Sequence, residues 1–133
     1  MSTASHPIAQ LPGVSAAQVE QLKAIGIATT LDLLRQGNSP QQRQQLSKAL
    51  NTHIKHIEKW AALANLARIP SVGCEYCGLL LHAGVSTPKQ LATMTVQRLH
   101  PQLRRLQVQL LKRADLAPST EQVAMWIQQA QGL

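Results

Sequence analysis

Phenylalanine is absent from this chain of 133 residues, and its aromatic residues are Trp60, Tyr76 and Trp126. With so few rings, a surface that binds nucleic acid by stacking bases on aromatic side chains is nearly excluded. The core must be built from Leu, Ile, Val and Ala, which favours close packing of helices.

Cysteines and long apolar runs are also scarce. Two cysteines are too few for a disulfide scaffold, so we expect a cytoplasmic protein. The longest apolar run, around Leu79–Leu81, is interrupted by His82 and is far shorter than the roughly 20 residues of a membrane helix. The first residues lack the basic and apolar regions of a secretory signal.

Acidic residues are few as well. Six Asp and Glu stand against 13 Lys and Arg, which gives a formal net charge of +7. This imbalance predicts an acidic partner, and nucleic acid is the first candidate. The apolar content of 44% is ordinary for a globular protein and excludes wholesale disorder.

One segment of the chain is repeated. Residues 11–34 align without a gap with residues 69–92, at an offset of 58 positions. We interpret the alignment as two copies of one helical unit. The sequence therefore predicts an N-terminal tail, 1–10, and a single domain, 11–133, with units of about 11–68 and 69–117 and a capping helix of about 119–131. The aligned pairs include Leu22 with Leu80, Gly26 with Gly84, Ile27 with Val85, and Leu33 with Leu91.

Capping residues and the spacing of apolar positions predict helices throughout. No stretch alternates with the period of a strand, so the predicted fold class is all-α, a compact bundle of short helices. In chain order the predicted helices are about 15–25, ended by Gly26; a short helix capped by Thr29 or Thr30; 40–50, capped by Ser39; 53–68, capped by Thr52; 73–83, ended by Gly84; a short helix capped by Ser86 or Thr87; a helix to about Arg113 that Pro101 begins or kinks; and 120–131.

The start of each copy resembles a helix-hairpin-helix motif, in which a Gly-Val-Gly-like turn precedes a helix. The turn is Gly13-Val14-Ser15 in the first copy and Ser71-Val72-Gly73 in the second, followed four residues later by Val19 and Cys77. The chain more closely resembles a tandem helix-hairpin-helix family of bacteria, cyanobacteria and plastids, domain of unknown function 4332. The resemblance covers about residues 11–131, and it implies a compact all-α fold and no established chemistry.

Many helix-hairpin-helix domains hold a DNA phosphate on the backbone N–H groups of the hairpin. Both copies depart from that pattern, because each has a Ser in place of one Gly and neither has a basic residue directly after the turn. Glu75 would repel a phosphate at the second turn. Two interpretations remain, a structural turn and a phosphate-binding hairpin, and the departures favour the first.

Basic residues are concentrated in a later helix. At 100° per residue, Arg98, Arg105 and Lys112 fall on one stripe with Arg113 nearby, while Leu99, Leu103, Leu106 and Leu110 form a separate face expected in the core. The stripe is suited to phosphates or to an acidic protein surface. A solvated face without a partner explains it equally well.

Catalytic and metal signals are weak. Cys74 and Cys77 form a C-x-x-C at a helix start, where the helix dipole lowers a thiol pKa, but the βαβ context of a redox site is missing. His53 and His56 are predicted to lie far from the cysteines along the preceding helix. We therefore expect no metal, no cofactor and no enzymatic activity.

Two functions remain from the sequence. The first is a protein-interaction scaffold or adaptor whose partner has an acidic surface. The alternative is sequence-nonspecific binding of the nucleic-acid backbone through the hairpins and the basic stripe. The sequence identifies neither the partner nor the oligomeric state.

Overall fold

The structure is a computed structural model that describes residues 4–111 and 118–133, with only the backbone described for residues 109–111. These residues form eight α-helices and no strand, which confirms the predicted all-α fold class. A 3-10 turn at Ile8–Gln10 precedes the helices. The helices are α1 (Ala16–Ala24), α2 (Thr30–Gln36), α3 (Pro40–Leu50), α4 (Ile54–Ala67), α5 (Gly73–His82), α6 (Pro88–Ala92), α7 (Val96–Leu111) and α8 (Thr120–Gln131).

Side-chain caps fix where several helices begin, as the sequence predicts. The hydroxyl oxygens of Thr29, Ser39 and Thr87 each accept a hydrogen bond from the backbone N–H three residues later, at 3.1–3.2 Å. Ser39 and Thr87 are each followed by a proline in the first turn, where the missing N–H costs no helical hydrogen bond.

Helix α4 begins one residue later than predicted. Its cap is His53, whose Nδ1 accepts a hydrogen bond from the N–H of Lys55 at 3.1 Å. Thr52 instead belongs to the end of α3, because its N–H donates to the carbonyl of Ser47 at 3.1 Å after Asn51 takes a left-handed conformation. The prediction that Thr52 caps this helix is wrong.

Helix α7 passes through Pro101 without a break. It begins at Val96, five residues before the proline, and extends to Leu111. Leu99 and Leu103 are fully buried on either side of Pro101, and this burial offsets the hydrogen bond that the proline cannot make. The proline therefore does not begin the helix. The predicted end near Arg113 lies outside the described residues.

The segments aligned at an offset of 58 residues have matching local geometry. Gly26 follows α1 and Gly84 follows α5 with φ values of +89° and +90°, a conformation that glycine adopts at little cost. The next residue donates its N–H back into the helix in both cases, Ile27 to Leu22 at 2.9 Å and Val85 to the carbonyl of Leu80 at 3.0 Å.

Equivalent side chains also support the starts of α2 and α6. Asp32 Oδ2 accepts hydrogen bonds from the N–H groups of Ala28 and Thr29, at 3.2 and 3.1 Å. These bonds, that of Ala28 first, hold the pKa of the Asp32 carboxyl below its ordinary value. Gln90, 58 positions later, accepts from the N–H of Ser86 at 3.1 Å. The carboxylate of Asp32 and the carboxamide of Gln90 thus accept the equivalent backbone hydrogen bond at the starts of α2 and α6.

The core is aliphatic apart from two tryptophans, as the composition predicts. Helix α4 lies at its centre and packs against α2, α3 and α5, while α8 packs against α6 and α7. Trp60 of α4 and Trp126 of α8 are both buried, and Tyr76 of α5 stacks beside Trp126 at 4.9 Å between ring centroids.

The N-terminal segment from Ala4 is part of the folded domain, although the sequence suggests a tail over residues 1–10. The N–H of Ala4 donates to the carbonyl of Arg68, and the N–H of Ile8 donates to the carbonyl of Ala28, both at 2.9 Å. Pro7 forms an isolated antiparallel bridge with Thr29. The Ile8 side chain is 0% exposed. The segment therefore joins the start of α2 to the end of α4.

We predict that Ile8→Ala destabilises the protein by about 2–4 kcal/mol, because it removes a fully buried side chain and leaves a cavity. Urea unfolding followed by circular dichroism measures the change. Ile25→Ala is the matched control, since Ile25 is 38% exposed and should lose less than about 1 kcal/mol. Equal effects of the two substitutions would show that the segment does not pack as described.

Candidate functional site

The first hairpin is open to solvent. Gly13 has a φ of +83°, and no atom lies near the position that a Cβ would occupy. Ser15 caps α1 by accepting a hydrogen bond from the N–H of Gln18, whose side chain accepts from the N–H of Ser15 in return. Val14 is partly buried against the core. The N–H of Gly13 forms no hydrogen bond with a described residue, and no Lys or Arg precedes Lys23 in the sequence.

The second hairpin is closed by helix α8. The N–H of Ser71 donates to Oε1 of Gln129 at 2.9 Å, and Nε2 of Gln129 donates to the Ser71 hydroxyl at 2.9 Å. The indole N–H of Trp126 donates to the carbonyl of Ser71 at 3.1 Å. The polar groups of Ser71 therefore already have partners, and a phosphate would have to displace α8 to reach them.

The two hairpins also differ in backbone geometry. The left-handed residue is Gly13 in the first, whereas it is Gly73, with a φ of +53°, in the second. Gly73 aligns with Ser15, and Gly13 aligns with Ser71. The left-handed residue of the second hairpin therefore lies two positions later than that of the first. A Cβ on Gly73 would lie 3.4 Å from the ring of His6, and Val72 beside it is buried. The second turn is therefore a packed connection between α4 and α5.

The basic stripe lies on helix α7. Arg98 and Arg105 are both exposed, and seven residues of helix bring them within about 20° of one face. Arg104 is exposed beside them and was not among the predicted stripe residues. Lys112 and Arg113 lie outside the described residues.

A shallow groove runs along this helix. His100, Pro101, Arg104, Arg105 and Val108 line it. Val108 is 45% exposed, so the groove places an accessible apolar side chain among basic ones. In the described part of the chain the ion pair found is that of Arg35 with Asp32, at 3.6 Å. No described carboxylate therefore forms an ion pair with the arginines of α7, although the charge of Glu121 interacts with His100 in this groove.

The two cysteines are poor candidates for thiol chemistry. Burial raises the pKa of Cys77 to about 12, with a smaller contribution from the neighbouring Cys74. Burial also raises the pKa of Cys74. The dipole effect considered from the sequence is thus outweighed by desolvation. Cys77 is a core residue, as its alignment with Val19 predicts.

Within residues 4–111 and 118–133, no three His, Cys, Asp or Glu side chains come together in a way that would hold a metal ion. Within the same residues, no helix has the length and apolar character needed to cross a bilayer.

The partners of Ser71 could not be found from local sequence. Gln129 and Trp126 lie 58 and 55 residues away, on a helix that the sequence predicts only as a cap. The one local signal is their position on the same side of α8, three residues apart. Their identity as partners of the hairpin depends on how α8 packs.

These features define an all-helical domain with one open hairpin, one closed hairpin and an unneutralised basic helix. A family model, a domain of unknown function (DUF4332), matches residues 12–133. The chain belongs to this family. No curated protein and no solved structure matches the chain.

We predict that Gln129→Ala destabilises the protein by about 1–2 kcal/mol, because the Ser71 N–H loses its acceptor and the Ser71 hydroxyl keeps only its bond to Sδ of Met125. Thermal unfolding at neutral pH measures the change. Gln128→Ala is the matched control, because Gln128 is exposed on the same helix and its loss should cost less than about 0.5 kcal/mol. A neutral Gln129→Ala would contradict the closed hairpin.

We predict that Cys77 reacts with a disulfide reagent at pH 8 far more slowly in the native protein than in the unfolded chain, because burial raises its pKa and lowers its thiolate fraction. Raising the pH to 9 should leave Cys77 largely protonated in the native state. The Cys74→Ala variant isolates the thiol of Cys77, and the same variant in denaturant gives the reference rate. Rapid native labelling would contradict the burial of Cys77.

Proposed function

We propose that this protein is a non-enzymatic binding module, built from two helix-hairpin-helix-like units, that docks a protein partner with an acidic surface. The matching geometry at Gly26 and Gly84, and at Asp32 and Gln90, supports the two units. The observation that most supports an acidic partner is the basic face of α7, whose arginines form no ion pair with a described residue.

The chemistry of that face favours a protein partner. Arg98, Arg104 and Arg105 are exposed, and the sequence of α7 contains no acidic residue. Val108 adds an exposed apolar contact in the same groove. An acidic helix or strand with an apolar side chain complements both properties, and charge complementarity accelerates and orients such docking. The raised pKa values of both cysteines support a role without thiol catalysis.

A second candidate function is sequence-nonspecific binding of the DNA backbone. It is favoured by the open first hairpin, where Gly13 allows close approach and its N–H has no partner among the residues that the structure describes. The formal net charge of +7 also favours it. The closed hairpin at Ser71 argues against a pair of phosphate clamps, so this candidate uses one hairpin and α7.

Affinity capture from a nuclease-treated native lysate tests the first function. We expect a protein to be retained by the wild type and lost with Arg98→Gln/Arg105→Gln. It should be kept by Lys55→Gln/Lys59→Gln, which removes the same charge from the exposed side of α4. A carbodiimide cross-link from an Arg105→Lys variant should map to Asp or Glu residues of the captured protein. Retention that survives the double α7 substitution would overturn the proposal.

A salt titration with a short DNA duplex tests the second candidate. DNA binding through the first hairpin should be submicromolar at low salt, weaken steeply as salt rises, and be reduced by Gly13→Ala. That result would make DNA, and not a protein, the main partner. Unchanged binding by Gly13→Ala would exclude a role for the first hairpin. Absence of binding at low salt would remove the DNA candidate altogether.

A further inference from the structure

A polar cleft is lined by no residue of either hairpin or of α7. It is formed by the end of α2 and the α2–α3 connection, by α3 at Arg43, by one side of α4, and by Ser86 and Thr87 before α6. Its volume of 540 Å³ falls within the usual range of small-molecule sites. The cleft joins parts of the two aligned segments, so its shape depends on how they pack.

Arg68 lines this cleft, and its guanidinium is unpaired among the described residues. It is the C-cap residue that follows α4, is partly buried, and donates no hydrogen bond from its guanidinium to a described residue. Its Nε is shielded from solvent and has no partner in the described part of the chain. Buried donors without acceptors are rare in native proteins, which makes this group notable.

Arg43 supplies a second guanidinium to the same cleft. Its Nη1 donates to the carbonyl of Gly37 at 2.9 Å, which fixes the group at the wall and leaves its other N–H donors unused. Glu58 also lines the cleft, but it forms no ion pair with either arginine. Two cations and one carboxylate leave the cleft with a net positive charge.

The other residues that line the cleft restrict the class of ligand that it can bind. Asn38 and Asn65 place two carboxamides in the cleft, and Leu34 and Ala61 provide an apolar surface. Guanidinium groups bind planar oxyanions in a bidentate manner, and carboxamides bind neutral polar groups. Glu58 disfavours a ligand with several negative charges.

We propose that this cleft binds a small organic ligand carrying one oxyanion group, a carboxylate or a phosphate, held by Arg68 and Arg43. The oxyanion lies against the two guanidinium groups, and the rest of the ligand lies between the carboxamides and the apolar surface. None of the residues that line the cleft belongs to α7, so the proposed ligand and the proposed protein partner contact different residues.

Nuclear magnetic resonance of the arginine Nε–H groups tests this proposal. The protein is titrated with inorganic phosphate and, separately, with the monocarboxylate propionate, at constant ionic strength in a chloride background. We expect a saturable shift of the Arg68 and Arg43 signals with at least one probe. Response to phosphate alone identifies a phosphate ligand, response to propionate alone a carboxylate ligand, and response to both a general oxyanion site.

Variants separate binding in the cleft from attraction to surface charge. Arg68→Gln should weaken binding by roughly tenfold or more, and Arg43→Gln provides a second measurement if Arg68→Gln does not fold. Lys55→Gln removes an equal charge from the exposed side of α4 and should change nothing. Shifts that do not saturate, that appear equally at Arg98 and Arg105, or that persist in both arginine variants would overturn the proposal.

Discussion

Helix α4 is the element on which the rest of the structure depends. Its buried face provides Ile57, Trp60, Leu63 and Ala64 to one core, and α2, α3 and α5 all pack on it. Without phenylalanine, the core gains its density from aliphatic side chains between closely spaced helices. The N-terminal segment is bonded to Arg68, the C-cap of this helix, and the second hairpin follows directly after it. The positions of the second hairpin and of the polar cleft are therefore set by α4.

The packing of α8 makes the two related segments unequal. Ser71 gives its N–H, hydroxyl and carbonyl to α8, whereas Gly13, at the aligned position, gives its N–H to no described residue. The second turn is a packed connection between α4 and α5 that α8 stabilises, whereas the first turn remains accessible to solvent. The closed turn itself contains no basic residue, and the exposed arginines of the basic face lie on α7. The DNA candidate is therefore limited to the first hairpin and α7, whereas the proposal of a protein partner depends on the arginines of α7.

Much of the fold could be predicted, because its signals are local. The caps at Thr29, Ser39 and Thr87 and the glycine stops at 26 and 84 depend only on neighbouring residues. Long-range contacts were missed. The burial of Ile8 and the bonds of Gln129 to Ser71 join positions far apart in the chain, and no local pattern encodes them. For the site, Arg98 and Arg105 were placed correctly on one helix face, whereas the cleft at Arg43 and Arg68 needs the tertiary structure.

The second hairpin is closed by α8, whereas the first hairpin is open. Hydrogen exchange of individual backbone amides in the free protein distinguishes the two turns. We expect the Ser71 amide to be protected by its bond to Gln129, and the Gly13 amide to exchange close to the rate of an unstructured peptide. Rapid exchange at Ser71, equal to that at Gly13, would show that α8 does not close the second hairpin.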